Sequence, residues 1–461
     1  MMKRFLALCL TCTALLSLAA PALAARSVSG SGTPKSATGA TSVTIPSDGT
    51  ISFSQVGPRV KANNLNLKAL QENLKSAEAM DWDDAIDEME DAIDSLELQM
   101  SLLLNGSAGR LAQAQKDLAA SMAGVSTAED KMAAVNEVVQ NIIAVSSLTA
   151  IGEYSKMQAA SLKVNLESME DQLDDLKEQK EDYQKTLADT ARQIDYAADQ
   201  MVSGAESLYL SILSTQLQLE ALKETQESTQ RTVKEMELRY SLGQISKLTL
   251  TQVQNGYETL AASLQTMENA LGTMYSSLQS LMGDVPTGNL RLVDTPSVTD
   301  AQIANLSYTA DLTRAKEKSY TLYSAGRTVE DAEDAMNDAR RDEGKNSYQY
   351  KMAEYTYRSA LYQKDAAVAE FELSFQNLYK AIAPAQATLA SKELSLAYEE
   401  QVYAVAEKKY QLGNLSANAL ADAKNTLNTA KRDVEAAKLD LFTAYHSYKQ
   451  AVDLGLVGSA S

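Results

Sequence analysis

The chain has 461 residues, 45% of them hydrophobic, 22% charged and 6% aromatic, with a formal net charge of −19, two cysteines and one histidine. So acidic a balance argues against nucleic acid or anionic lipid as partners. A single imidazole and two amino-terminal thiols leave little for metal or nucleophilic chemistry, so neither enzyme activity nor a cofactor is expected. Average usage of about 5% proline would put roughly eleven prolines between Arg59 and Val285. There are none, which disfavours a loop-rich fold and makes long helices the default.

At the amino terminus, Lys3 and Arg4 precede an apolar run from Phe5 to Leu18, and Ala22-Leu23-Ala24 supplies a small-residue cleavage pattern. Residues 1–24 therefore read as a secretory signal, and the chain as exported. The alternative is an uncleaved anchor, although the run is shorter than the ~20 residues a spanning helix needs. Cleavage removes Cys9, Cys12 and both cations, leaving a charge of −21 and no thiol, so stability must come from packing. Residues 25–50, rich in Ser, Thr, Gly and Pro, read as a flexible leader.

From Ile51 onward the pattern is helical. Asp81 to Asp94 holds eight acids in fourteen residues, with Trp82, Ile86, Met89 and Ile93 on one stripe. The glycine and alternating ligands of a calcium loop are absent, so a solvated helix face with Trp82 as a packing residue is the better reading. Turn signals follow at Asn105-Gly106-Ser107-Ala108-Gly109 and at Gly124-Val125-Ser126, the latter with Glu129 at capping-box spacing. Val138 to Gly152 is a charge-free run too short to span a bilayer; packing within a bundle is expected, with a lipid surface or another envelope layer as the alternative. Next comes the clearest stripe: Leu162, Leu166, Met169, Leu173, Leu176, Tyr183, Leu187, Ile194, Met201 and Leu208. Its alternating steps of four and three are heptad spacing, the mark of helices that wind around partners. Nothing obliges that helix to stop between Gly152 and Gly243, which predicts a rod roughly 130 Å long.

An internal repeat organises the rest. A shift of 170 residues superposes Ile212 on Ile382, Leu219 on Leu389, Leu271 on Leu441 and Tyr275 on Tyr445 without a gap. It also aligns RYSLGQISKLTL (Arg239 to Leu250) with KYQLGNLSANAL (Lys409 to Leu420), identical at five of twelve positions. Each block predicts a helix that ends at a left-handed Gly, Gly243 or Gly413, and restarts after a capping Ser, Ser246 or Ser416. A weaker match, KANNLNLKALQENLKSAEAM from Lys61 against AKEKSYTLYSAGRTVEDAEDAM from Ala315, has an offset of 255. The first half thus contains a surplus of about 85 residues between Trp82 and about Leu166, for which an additional helical hairpin is the simplest account. Gly283 to Asp300, with two prolines, joins the halves, and Pro384 should kink its helix.

Two tandem hairpins with R/K-Y-x-x-G-x-x-S at the tip, behind a secretory signal, resemble the TolC family of outer membrane efflux proteins over roughly residues 51–455. The resemblance implies an all-α protomer of long antiparallel coiled-coil hairpins in two tandem repeats. Residues 51–283 form the first repeat with its extra hairpin, 284–300 a linker, 301–455 the second repeat and 456–461 a tail. It implies a homotrimer whose hairpins enclose a tapered α-helical tunnel spanning the periplasm, in the cell envelope, at the outer membrane or in a periplasm-equivalent space. Arg239, Tyr240, Gly243, Ser246, Lys409, Tyr410, Gly413 and Ser416 would be the tips that dock a periplasmic adaptor and an inner-membrane pump. The family narrows its tunnel with aspartates six and nine residues after the second-repeat Gly; here those positions are Ala419 and Asp422, so Asp422 alone is left as a constriction candidate, an ordinary exposed acid being the alternative. The family's membrane strands have no counterpart: the stretch around Asp342 to Tyr348 is short and polar, and no β-barrel or internal transmembrane helix is expected.

No phosphate loop, zinc-helix or nucleophile-elbow motif occurs, and His446 stands between Tyr445 and Ser447 without a second imidazole. The leading reading is a passive export conduit. Its rival is an exported coiled-coil stalk or surface interaction protein that conducts nothing.

Overall fold

The computed structural model describes residues 49–124 and 131–457, and 88% of these residues are helical. The signal, nearly all of the leader, the end of the tail and the turn expected at 125–130 lie outside the described residues. The only strands among them are β1 (Thr50–Ile51) and β2 (Arg291–Leu292), paired in parallel. This pairing was not legible in the sequence, and it puts Thr50 in a strand rather than a leader.

Two helices open the first half, α1 (Phe53–Asn63) and α2 (Leu65–Glu78). The chain bends between them at Asn64, whose side-chain oxygen accepts from the Leu67 amide at 3.1 Å and caps α2. Helix α3 (Asp83–Gly124) then runs antiparallel to the first half of α4 (Lys131–Ser241). At 111 residues, α4 is roughly 165 Å long, longer than the rod expected because it continues through Gly152 without a break. Helix α5 (Lys247–Leu281) returns along it.

The second half follows the same plan. A short α6 (Asp300–Ala304) leads into α7 (Tyr308–Lys318) and α8 (Tyr320–Asp342), separated at Ser319, whose hydroxyl accepts from the Leu322 amide at 3.3 Å. Asn64 and Ser319 are 255 residues apart, the offset of the weaker repeat. Where the first half inserts α3 and the start of α4, the second has a five-residue turn at Gly344 and passes into α9 (Tyr348–Gln411), which continues through Pro384 as one helix. Helix α10 (Ala417–Leu454) closes the chain.

Heptad spacing explains the long contacts. Every named apolar member of the stripe from Leu162 to Leu208 is buried or half-buried on α4, and the same steps extend upstream through Leu148, Val145 and Val138. Trp82, Ile86, Met89 and Ile93 face this seam from α3, with the Trp82 ring 5.5 Å from that of Tyr183. Part of the acidic face is paired rather than merely solvated: Lys177 meets Glu90 at 2.8 Å, and Lys180 meets Asp83. Two expectations fail on this arm. Residues Asn105 to Gly109 form no turn, because two exposed glycines cost a helix about 1 kcal/mol each, less than an uninterrupted seam with α4 returns. In the run from Val138 to Gly152, only one side packs on α3; Val139, Ile142, Ile143 and Ile151 remain exposed.

The densest packing lies at mid-molecule. One core gathers Val56, Val60, Tyr209, Ile212, Leu278 and Met282, and the other Phe371, Phe375, Ile382, Leu441, Tyr448 and Val452. At about 1.5–3 kcal/mol per large side chain, these clusters anchor the helical rods.

Candidate functional site

The four long segments form a layer in the order α5, α4, α10, α9. Helices α4 and α10 run antiparallel through the middle, and no substantial contact among the described residues joins α5 to α9. A ladder fastens the middle pair: Glu206 meets His446 at 2.9 Å, Glu224 meets Arg432 and accepts from Asn428 at 2.8 Å, and Glu235 accepts from Asn418 at 3.4 Å. Because one index rises as the other falls, the two Gly-centred tips lie beside each other at the same end.

Each tip closes in the same way. Gly243 has φ +71° and Gly413 φ +75°, the left-handed region that glycine enters without a Cβ penalty. The Gly243 amide donates to the Tyr240 carbonyl at 2.9 Å and the Gln244 amide to the Arg239 carbonyl at 2.9 Å. In the second copy, Gly413 donates to Tyr410 at 2.9 Å and Asn414 to Lys409 at 2.8 Å. These crossed bonds make a Schellman closure, received by the main-chain carbonyls of the basic residue and the Tyr of the shared motif. Ser246 and Ser416 then cap α5 and α10, each accepting from a backbone amide at 3.2 Å.

The side chains of the tips point outward. Arg239 pairs with Glu235 on its own helix, while Tyr240 and Tyr410 are exposed. Leu242 and Leu412, one residue before each glycine, are 62% and 75% exposed, and Leu248 is 79% exposed. The R/K-Y-x-x-G-x-x-S motif leaves these leucines unspecified, although Leu242 and Leu412 are identical in the two blocks at the 170-residue offset, which was a usable signal. Between α9 and α10 near the tip lies a groove of about 470 Å³ lined by Tyr398, Val402, Val405, Leu415 and Ala419.

Asp422 is exposed on α10, and its backbone carbonyl accepts from the Thr426 hydroxyl at 3.1 Å. Lys424 and Lys431 are exposed roughly 200° around the same helix. The layer therefore has, along α10, a side carrying Asp422, Thr426 and Thr429 and an opposite side carrying lysines.

His446 belongs to a polar pin. Its ring stacks on Phe442 and meets Phe53 edge-on at 5.0 Å, while Gln450 donates to Glu206 at 2.8 Å and accepts from Ser203 at 2.9 Å. This knot joins α1, α4 and α10. Two buried tyrosines act similarly: Tyr209 donates to Asp294 at 2.5 Å and Tyr448 to Asp311 at 2.8 Å. Burial, reinforced by the carboxylate each faces, pushes both phenols well above their ordinary range. No cluster of three or more His, Cys, Asp or Glu that could hold a metal occurs among the described residues, and no described helix is long and apolar enough to cross a membrane.

No protein-family model matches the chain, and no curated protein is significantly similar to it in sequence. Among solved structures it is similar to the outer membrane protein VceC from Vibrio cholerae, at 17% identity over 60% of this chain and 75% of that one, with a TM-score of 0.40. It is also similar to a membrane protein from Pseudomonas aeruginosa (12% identity, 59% and 71% covered, TM-score 0.46). The Campylobacter jejuni CmeC outer membrane channel is a third (14% identity, 60% and 68% covered, TM-score 0.40).

Proposed function

We propose that the chain is one protomer of a TolC-like export conduit of the cell envelope, in which three copies close their layers into a helical tunnel. The observation that carries this reading is the open layer with both tips at one end. Among the described residues the edge helices α5 and α9 lack partners on their outer sides, and on α9 Leu394 and the groove-lining Tyr398, Val402 and Val405 stay exposed. Edge-to-edge addition of further copies covers those side chains and leaves a hollow centre. The tips, with Tyr240, Leu242, Tyr410 and Leu412 exposed, are the surface for a periplasmic adaptor, with energy supplied by a separate inner-membrane pump. If the side bearing Asp422 lines the tunnel, water and cations pass and anions are disfavoured.

Mass measurement of the intact assembly is the first test, and three copies are expected; a monomer refutes the tunnel. Replacing Gly243 and Gly413 with Val puts a β-branched residue at positive φ in both tips. Export should then fail while the oligomer persists, and undiminished export in that double variant counts against docking at the tips.

A further inference from the structure

The arm formed by α3 and the first half of α4 is absent from the second repeat, and its outer surface is unlike that of an ordinary two-stranded coiled coil. The side of α4 facing α3 is already occupied, with Val138, Val145 and Leu148 half-buried in the seam. On the outside, Val139, Ile142, Ile143 and Met157 are each between 43% and 70% exposed. Exposed positions of a soluble coiled coil normally carry charge. Here α4 has no Asp, Glu, Lys or Arg between Glu137 and Glu153, about 22 Å of helix.

Three observations together say what covers this surface. Ile143, Ala150, Met157 and Val164 fall seven residues apart and are all exposed, so they form a second heptad line pointing away from α3. Residues seven apart share one side of a helix to within about 20°, so the line is a one-sided apolar face of the kind a partner helix can cover. Ser146, Ser147 and Thr149 interrupt the apolar residues, and from Val138 to Gly152 there is none of the Lys or Arg that surface helices lying in lipid carry on their polar side, Lys156 and Lys163 coming only beyond it. The charge pattern then indicates which helix. The base of the arm is densely acidic, from Asp81 to Asp94 on α3 and from Glu167 to Asp182 on α4, so two copies repel each other there. Only the distal stretch lets them approach. Because α4 is one helix from arm to tip, copies aligned by their layers also hold their arms parallel and in register, at high effective concentration.

We propose that the distal arms of neighbouring copies of this chain pack on one another through the Ile143–Val164 line, forming a helical bundle that continues the assembly beyond the end remote from the tips. This inference rests on the proposal that several copies stand side by side.

The test is disulfide cross-linking in the full chain with Cys9 and Cys12 replaced by Ser. Ile143→Cys should form inter-copy disulfides on oxidation at least about tenfold more than Asp171→Cys, which sits on the same heptad line in the acidic base. Adding Ile142→Glu and Met157→Glu should abolish the cross-link; both sites are exposed, so helicity at 222 nm should not change. An Ile143→Cys chain that has the mass of several copies but does not cross-link overturns the arm bundle and leaves the tunnel standing, whereas a monomer that does not cross-link overturns both. Cross-linking that persists in a chain whose layers do not oligomerise upholds the arm contact and removes the tunnel. Protection of the introduced thiol only on addition of phosphatidylcholine vesicles, or only with a foreign protein bound, overturns the proposal in favour of that occupant.

Discussion

Four glycines with nearly the same backbone differ in what surrounds them, which allows backbone strain to be separated from collision. Gly243, Gly413, Gly283 and Gly455 have φ of +71°, +75°, +75° and +69°. A Cβ at either tip glycine meets nothing within 4 Å, so Gly243→Ala or Gly413→Ala should cost only the left-handed penalty, about 1–2 kcal/mol. At Gly283 the added carbon lies 2.2 Å from the Asn63 carbonyl oxygen, and at Gly455 it lies 2.5 Å from the backbone of Lys318 and Ser319. Backbone cannot rotate aside, so Gly283→Ala must push the α1–α2 corner off the end of α5. That movement breaks the hydrogen bond from the Asn64 side-chain nitrogen to the Leu281 carbonyl (2.8 Å), about 1 kcal/mol, and loosens the α2 cap, about 1 more. It also loosens the core that holds Val60 and Met282, both fully buried, for another 1–2 kcal/mol or so. The expected total is about 4–6 kcal/mol, against about 1–2 kcal/mol at a tip. Denaturant titration at 222 nm measures the difference, and hydrogen exchange localises it: the Leu67 amide should lose protection in Gly283→Ala, and the Leu322 amide in Gly455→Ala. If Gly283→Ala and Gly243→Ala cost the same within experimental error, the close approach at the corner does not exist.

Three further outcomes are expected. Tyr209 and Tyr448 titrate above their free value of 10.0, so the stability they confer is intact below about pH 10 and is lost as the pH rises toward their folded values. Denaturation midpoints should fall steeply above about pH 10, and the Tyr209→Phe/Tyr448→Phe double variant should flatten that fall; an unchanged alkaline slope rejects the assignment. Arg432→Leu leaves the Glu224 carboxylate, 20% exposed, without its cation and should cost about 2–3 kcal/mol, part of which is recovered when Glu224→Gln is added. Ser246→Ala and Ser416→Ala should each cost about 1 kcal/mol and expose the Thr249 and Ala419 amides to exchange without disturbing the cores.

What the sequence made legible was periodic. The heptad steps from Leu162 to Leu208 named the inward face of α4, and the 170-residue offset placed Gly243 and Gly413 in matching turns with Ser246 and Ser416 as caps. What it concealed depended on partners. Asn64 and Ser319 are N-cap residue types, but such residues recur throughout this sequence and neither is Gly or Pro; each break is fixed by a glycine arriving from a distant helix end. The glycines at Gly106 and Gly109 looked like a turn because isolated propensity favours one, and only α3's contact with α4 overrules it. The strand pair at Thr50 and Arg291 is too short to leave a pattern. At the tips, the motif identified the turn-forming residues; the repetition of Leu242 and Leu412 was visible too, but only their exposure shows that they face outward.

The single unbroken helix that links arm to tip imposes a rule on length. Each residue added to α4 alone turns everything on its far side by roughly 100° in azimuth. One extra residue at the arm's root would swing the outer line of Ile143 away from any neighbour it faced, whereas a matched removal of seven from α3 and α4 would shorten the arm by roughly 10 Å and preserve its bearing. Natural variation in the reach of such an arm should therefore come in multiples of seven, so that its length is quantised rather than continuous.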